Sequence, residues 1–179
     1  DVLPTLIEAA GGRSKPQVFD GSSFLNVLLD KSDTHRKYVY GMHNNVPEGN
    51  PYPIRSVRDE RYRYIRNLLP DNLHIQKYVM GINGTKHTHY WNTWVEAACQ
   101  HERANKLVTR YMKRPAEELY DSQQDPYDLN NLAADEKYAD IKKRLSAELD
   151  RWMKEQNDPG AALDTQQRVK ESIKNASKT

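Results

Sequence analysis

A single cysteine, Cys99, is all that this 179-residue chain offers for covalent cross-linking, so an internal disulfide framework is excluded and cysteine use is neutral between reducing and oxidising compartments. Uninterrupted apolar runs stop at three residues, as at Val27-Leu28-Leu29, far short of the ~20 that a membrane-spanning helix needs. Charge of one sign is lacking as well. The 27 Lys and Arg stand against 25 Asp and Glu, a formal net charge of +2 spread along the chain, which argues against a nucleic-acid partner. With only 37% hydrophobic residues, the predicted core is thin for the length. Phenylalanine (2) and tryptophan (3) are scarce while tyrosine reaches 11, a bias that suits half-wet surfaces such as an interdomain seam or a sugar-binding wall. The chain opens on Asp1-Val2-Leu3-Pro4 with no basic, apolar and small-residue signal pattern, and the expectation is a segment cut from something longer.

The elements present follow from spacing. Asp1 is placed to cap a first helix carrying Leu3, Leu6, Ile7 and Ala10, with Pro4 in its first turn and Gly11-Gly12 stopping it. A second short helix is predicted over residues 22–29, with Phe24, Leu25, Leu28 and Leu29 inward. Tyr38-Val39-Tyr40 marks a strand ending at Gly41. Pro47, Gly49, Pro51 and Pro53 exclude a regular ladder from the loop that follows. Residues 54–58 and 61–67 read as a hairpin closing near Asp59-Glu60. A two-residue turn puts Arg55, Val57, Tyr62 and Tyr64 on one face and Ile54, Ser56, Arg63 and Ile65 on the other; Asp-Glu is a poor primed-turn pair, so a longer loop is also open. One helix is predicted over residues 90–112, with Trp91, Trp94, Val95 and Ala98 on a stripe that Val108, Tyr111 and Met112 resume, ended by Pro115. A strand over 117–121 and a turn at Asp125-Pro126 come next. The clearest helix runs over 135–156, with Tyr138, Ile141, Leu145, Leu149, Trp152 and Met153 on one side and Asn157-Asp158-Pro159-Gly160 terminating it. Residues 161–179 are polar and read as a mobile or weakly helical tail.

Catalytic chemistry is thin. Cys99 stands two residues before His101 and four before Arg103, but a mid-helix cysteine beside Ala97 and Ala98 is more often a small packing residue than a nucleophile. His87 and His89 are at most half a metal site, since zinc needs three or four ligands. Asn83 and Asn175 head glycosylation sequons. Arg55, Arg58, Arg61, Arg63 and Arg66 interleave with Tyr62 and Tyr64; guanidinium groups there suit sulfate, carboxylate or phosphate, and equally suit ion pairs with Asp59, Glu60 and the acidic residues of 117–121. His43-Asn44-Asn45 follows a strand end, where a rigid base displays loop side chains; imidazole and carboxamides bond sugar hydroxyls, and protonated imidazole attracts sulfate. The alternative is an ordinary turn in which the asparagines take left-handed angles.

Three segments in order carry a family resemblance: Asp1-Val2-Leu3-Pro4-Thr5-Leu6; Pro53-Ile54-Arg55-Ser56-Val57-Arg58 with Arg61-Tyr62-Arg63-Tyr64-Ile65-Arg66-Asn67; and Glu118-Leu119-Tyr120-Asp121 with Asp125-Pro126-Tyr127-Asp128-Leu129-Asn130-Asn131-Leu132-Ala133. Together they resemble the carboxy-terminal portion of type I sulfatases of the alkaline phosphatase superfamily. Arg114-Pro115-Ala116-Glu117 and Leu149-Asp150-Arg151-Trp152-Met153 look most like bacterial relatives of heparan N-sulfatase. The resemblance implies an α+β fold, a small antiparallel sheet packed against a long C-terminal helix. Residues 1–30 are then the last helical part of an upstream catalytic domain, 31–160 the C-terminal subdomain and 161–179 a polar tail. It further implies a periplasmic or secreted parent acting on sulfated glycans, with heparan-type glucosamine plausible, and calcium and formylglycine in the upstream domain. The family's formylglycine arises in a Cys-x-Pro-x-Arg motif; Cys99 has His101 where proline is required, so this segment has no catalytic residue and is expected to be inactive alone. Substrate contacts are expected at His43, Asn44, Asn45 and Arg55. A noncatalytic glycan-binding or scaffold module, and a phosphatase or phosphodiesterase of the same superfamily, are the other readings.

Overall fold

A computed structural model describes residues 1–15, 18–46, 49–81 and 89–176. Two compact units divide at Tyr38 and Val39.

In the first unit α1 (Val2–Ala9) begins at Asp1 and α2 (Leu25–Leu28) is a single turn. Asp1 occupies the cap position but its carboxylate does not cap. It accepts from Ser22 N at 2.8 Å and from Arg36, tying the two ends of the unit together. Pro4 and Thr5 are the buried residues of α1, whereas Leu3 is 54% and Leu6 61% exposed. Leu28 and Leu29, expected inward, are exposed too, because four residues of helix present too little surface to fold over.

The second unit is a four-stranded antiparallel meander in the order β1 (Val39–His43), β2 (Ile54–Arg58), β3 (Tyr62–Asn67), β4 (Glu117–Asp121). Strand β1 continues past Gly41, where it was expected to stop. Gly41 lies opposite Ser56, whose Oγ is 2.6 Å from where a Cβ would stand, so the glycine permits close approach within the ladder. In the β2–β3 hairpin Arg58 pairs with Arg63, two residues wider than a two-residue turn allows. Asp59 Oδ1 accepts from the backbone N–H of Arg61 and Tyr62 and shapes that longer loop. A shift of two preserves strand parity, so the predicted faces hold: Arg55, Val57, Tyr62 and Tyr64 share one side.

Between β3 and β4 come α3 (Lys77–Met80), α4 (His89–Gln100) and α5 (Glu102–Met112). The single predicted helix over 90–112 is two, because His101 adopts extended angles (φ −129, ψ 122) in the polar stretch where the apolar stripe lapses. With no packing to hold the helix straight, Glu102 starts a new one, its charge favoured in a first turn. Arg110 of α5 donates to Tyr120 Oη at 2.8 Å, placing α5 on the face that carries Arg63 and Tyr120.

The opposite face is covered by α6 (Ala139–Glu155), preceded by a 3-10 turn whose cap Asp135 accepts from Lys137 N. This helix packs on β2 and β3. Leu145 and Leu149 are fully buried, as are Val57, Tyr64 and Leu119 of the sheet, while Tyr40 stacks on Trp152 at 4.9 Å. Replacing Leu145 with alanine is expected to lower unfolding free energy by about 3 kcal/mol, measured by urea denaturation. A loss below ~0.5 kcal/mol is the signature of a displayed helix instead. Residues 161–176, read as a polar tail, carry a 3-10 turn (Gly160–Leu163) and α7 (Gln166–Ala176).

Candidate functional site

The end of β1, the start of β2 and the loop between them gather all four residues expected to contact substrate. Arg55 is 0% exposed. Its Nε pairs with Asp158 and its Nη2 donates to Asp158 Oδ1 at 3.0 Å, a bidentate match of planar groups. The remaining nitrogen, Nη1, donates to the carbonyls of His43 (3.2 Å) and Ile54 (2.9 Å) and to Asn44 Oδ1 (3.1 Å). Burial raises the carboxyl of Asp158, but the hydrogen bonds from Arg55 outweigh it and hold the group below its ordinary value. A guanidinium so surrounded and 0% exposed sets the path of residues 43–45 from inside.

Asn45 is buried as deeply. Its Nδ2 donates to the carbonyls of Asn50 (2.7 Å) and Ile75 (2.8 Å), and its backbone N–H donates to Asp164 Oδ2 at 2.8 Å. Asp164 also accepts from Val46 N (2.9 Å) and Tyr52 N (2.7 Å), so one carboxylate fastens both ends of the proline-rich loop. Neither Asn44 nor Asn45 has a positive φ, so the left-handed turn is not what these asparagines supply. Of the four, His43 and Asn44 alone are part-exposed.

The ring of His43 meets that of His74 edge-on at 5.9 Å, and His74 lies among Tyr52 (5.1 Å) and Tyr111 (5.3 Å). His74 is 6% exposed; burial first, then Arg114 and His43, pull its pKa down to about 4. The folded state therefore binds this proton less readily than the unfolded chain, whose histidine titrates near 6.5. Stability is complete above pH 6.5 and falls as the pH drops toward 4, by about 2–3 kcal/mol. Urea unfolding across that window checks it, with His74→Phe expected to flatten the dependence; an unchanged slope in the variant assigns the acid sensitivity to other groups.

The arginine-tyrosine hairpin is engaged internally. Arg61 pairs with Asp121 (2.7 Å), Arg63 with Asp128 and Arg66 with Asp150 (2.5 Å), while Asp59 is taken by Arg144 (2.6 Å). Ion pairing was one of the two expected uses, but of the expected partners Asp121 alone serves; the others lie on the turn after β4 and on α6. Cys99 is exposed on α4 because the stripe it extends is covered only at Trp91, with Trp94 and Val95 of the same stripe exposed too, which corrects the expectation of a packing residue. His87 and Asn83 lie outside the described residues. Among the described residues no group of three or more His, Cys, Asp or Glu is placed to hold a metal ion.

No protein-family model matches the chain. Over 160 residues, 88% of its length, it is 37% identical to an ulvan-active sulfatase of Formosa agariphila, of which it covers 29%. The chain matches the carboxy-terminal portion of sulfatases. Human N-sulphoglucosamine sulphohydrolase is 29% identical over 129 residues, 68% of this chain and 24% of that one. A 2-O GAG sulfatase of known structure superposes with a TM-score of 0.57 at 24% identity, across 88% of this chain and 25% of that one, which shows the shared fold. The chain spans about a quarter of the length of the curated relatives it matches and corresponds to their carboxy-terminal portion, an α+β arrangement of small antiparallel sheet and long helix. Sequence reasoning passed over Asp158 and Asp164. Asp158 stood in the predicted helix stop, where positive φ at Asn157 (50°) and Gly160 (63°) turns the chain back so that both carboxylates meet the loop.

Proposed function

We propose that this chain is the carboxy-terminal part of a sulfatase that releases sulfate from esters or sulfamates of sulfated glycans, and that it forms one wall of the substrate cleft. The observation that carries the reading is 37% identity with an ulvan-active sulfatase along 88% of the chain. N-sulphoglucosamine sulphohydrolase as a second relative favours a glucosamine-containing substrate. On this reading an upstream catalytic domain is the partner and supplies formylglycine and calcium, and the whole protein works in the periplasm or outside the cell. The present chain contributes positioning. Arg55 and Asn45 hold the loop from inside, and the part-exposed residues at its start meet the sugar: Asn44, its Oδ1 taken by Arg55, through its amide NH2, and His43, its Nε2 buried, through the rest of its ring.

The test joins the chain to its upstream coding sequence and measures sulfate release from ulvan and from N-sulfated glucosamine. Hydrolysis of phosphate esters with no sulfate release overturns the assignment. In that longer enzyme, His43→Ala with Asn44→Ala is expected to lower kcat/KM on the preferred substrate at least ~10-fold, about 1.4 kcal/mol of transition-state binding, measured well below a Tm that falls because the Asn44 bond to Arg55 is lost. Unaltered kinetics leave the two side chains as loop structure only.

A further inference from the structure

On the sheet face opposite α6, the side chains of β3, β4 and α5 and the turn after β4 enclose an open cavity of about 280 Å³. Three guanidinium groups line it: Arg63, Arg110 and Arg114. Two carboxylates do as well, and both are engaged. Asp128 pairs with Arg63 through Oδ2, its Oδ1 being buried without a donor, and Glu118 accepts from Tyr120 Oη and, at 2.7 Å, from Asn67 Nδ2. Arg110 is held by neutral acceptors only, the carbonyls of Asp128 and Leu129 and the hydroxyl of Tyr120. Arg114 is freer still. Its contacts are a 3.5 Å approach to the Tyr111 carbonyl and the Tyr111 ring at 5.7 Å. Among the described residues no carboxylate pairs with either, and Nε of Arg63 is buried without an acceptor. At the rim Tyr127 stands 81% exposed.

We infer that this cavity binds an anionic sugar unit, with Arg110 and Arg114 holding its sulfate or carboxylate and Tyr127 lying against the ring. Guanidinium groups lacking carboxylate partners in a concave, part-desolvated wall favour a planar or tetrahedral oxyanion, which takes two donors from the Arg114 fork and a single N–H from Arg110, whose Nη2 is already engaged. A freely exposed tyrosine beside them offers the flat apolar face that a sugar ring covers, at small entropic cost. The volume is at the small end for ligand sites and matches one or two sugar rings rather than a protein segment. The choice of a sulfated glycan over another anion rests on the function proposed above, while the anion site itself rests on the arginines.

Amide spectra of the full chain titrated with a heparin-derived tetrasaccharide test the inference. Saturable shifts are expected at residues 63, 110, 114 and 127, weakened at least 10-fold by Arg114→Ala, less by Arg114→Lys, and weakened also by Tyr127→Ala. Arg114 and Tyr127 are chosen because neither holds another element in place, and unchanged Tm confirms that the variants fold. A desulfated tetrasaccharide tells the two anions apart: retained binding assigns the site to the uronate carboxylate, lost binding to sulfate. Absence of saturation, shifts unaffected by Arg114→Ala, or inorganic sulfate binding as tightly as the tetrasaccharide overturns the proposal. Sulfate release by the longer enzyme is a separate readout. Hydrolysis without these shifts removes the cavity and leaves the function, and shifts without hydrolysis do the reverse.

Discussion

Replacing Arg55 with methionine is expected to lower unfolding free energy by about 3–5 kcal/mol, because it strands a carboxylate in the interior. Asp158 has 4% of its side chain exposed, and among the described residues Arg55 is its one cationic partner. Methionine fills much of the same volume, so the loss isolates charge and hydrogen bonding from packing. Three acceptors lose their donor in the same step: the carbonyls of His43 and Ile54 and Asn44 Oδ1. Removing both charges, as Arg55→Met with Asp158→Leu, is expected to recover part of the loss, since the unpaired buried carboxylate is the larger part of the penalty. Urea unfolding of the two variants decides the matter. A single variant within ~1 kcal/mol of the parent shows that water reaches Asp158.

Asp164→Ala is expected to cost about 4–6 kcal/mol, from three backbone N–H groups left without an acceptor at about 1–3 kcal/mol each. Two of them, at Asn45 and Tyr52, are buried, and both bond the same oxygen, Oδ2. Asp164→Asn separates acceptor geometry from mere size. One carboxamide oxygen still serves that pair, but the NH2 then faces the Val46 N–H, donor against donor, so about half the loss is expected to remain. Hydrogen exchange adds a local readout: the amides of residues 45, 46 and 52 should exchange together in Asp164→Ala at a rate well above that of the Val57 amide. Protected amides in a destabilised variant show that the loop has found other acceptors.

What was legible in the sequence is what repeats with a short period. Alternation over residues 54–58 and 61–67 gave both faces of the hairpin, and the faces are the same for the two-residue turn and for the longer loop that the structure has, because parity is all that a face requires. The 3,4,4,3 spacing gave α6 and its buried leucines. What failed was whatever a distant partner decides. Residues 100–102 look as helical as their neighbours, and the break at His101 is visible only once no surface lies beneath them. The nearby Asp59 and Glu60 gave no sign of the true countercharge of Arg55, which lies 103 residues away. Asp158 and Asp164 share the composition of a solvated tail, and their roles depend on how the chain returns after Gly160.

The same long separation sets an order of events on the ribosome. The hairpin from Ile54 to Asn67 can form soon after it emerges, but the carboxylates that complete its neighbouring loop come 103 to 119 residues behind the groups they bind. At ~5–20 residues per second, synthesis of that interval takes roughly 5–25 s. Throughout it a nascent sheet carries an unmatched guanidinium and a row of unmatched amides at one rim. That rim matures after the sheet it borders, and a pause placed before Asp158 prolongs the period in which a chaperone or protease finds it open.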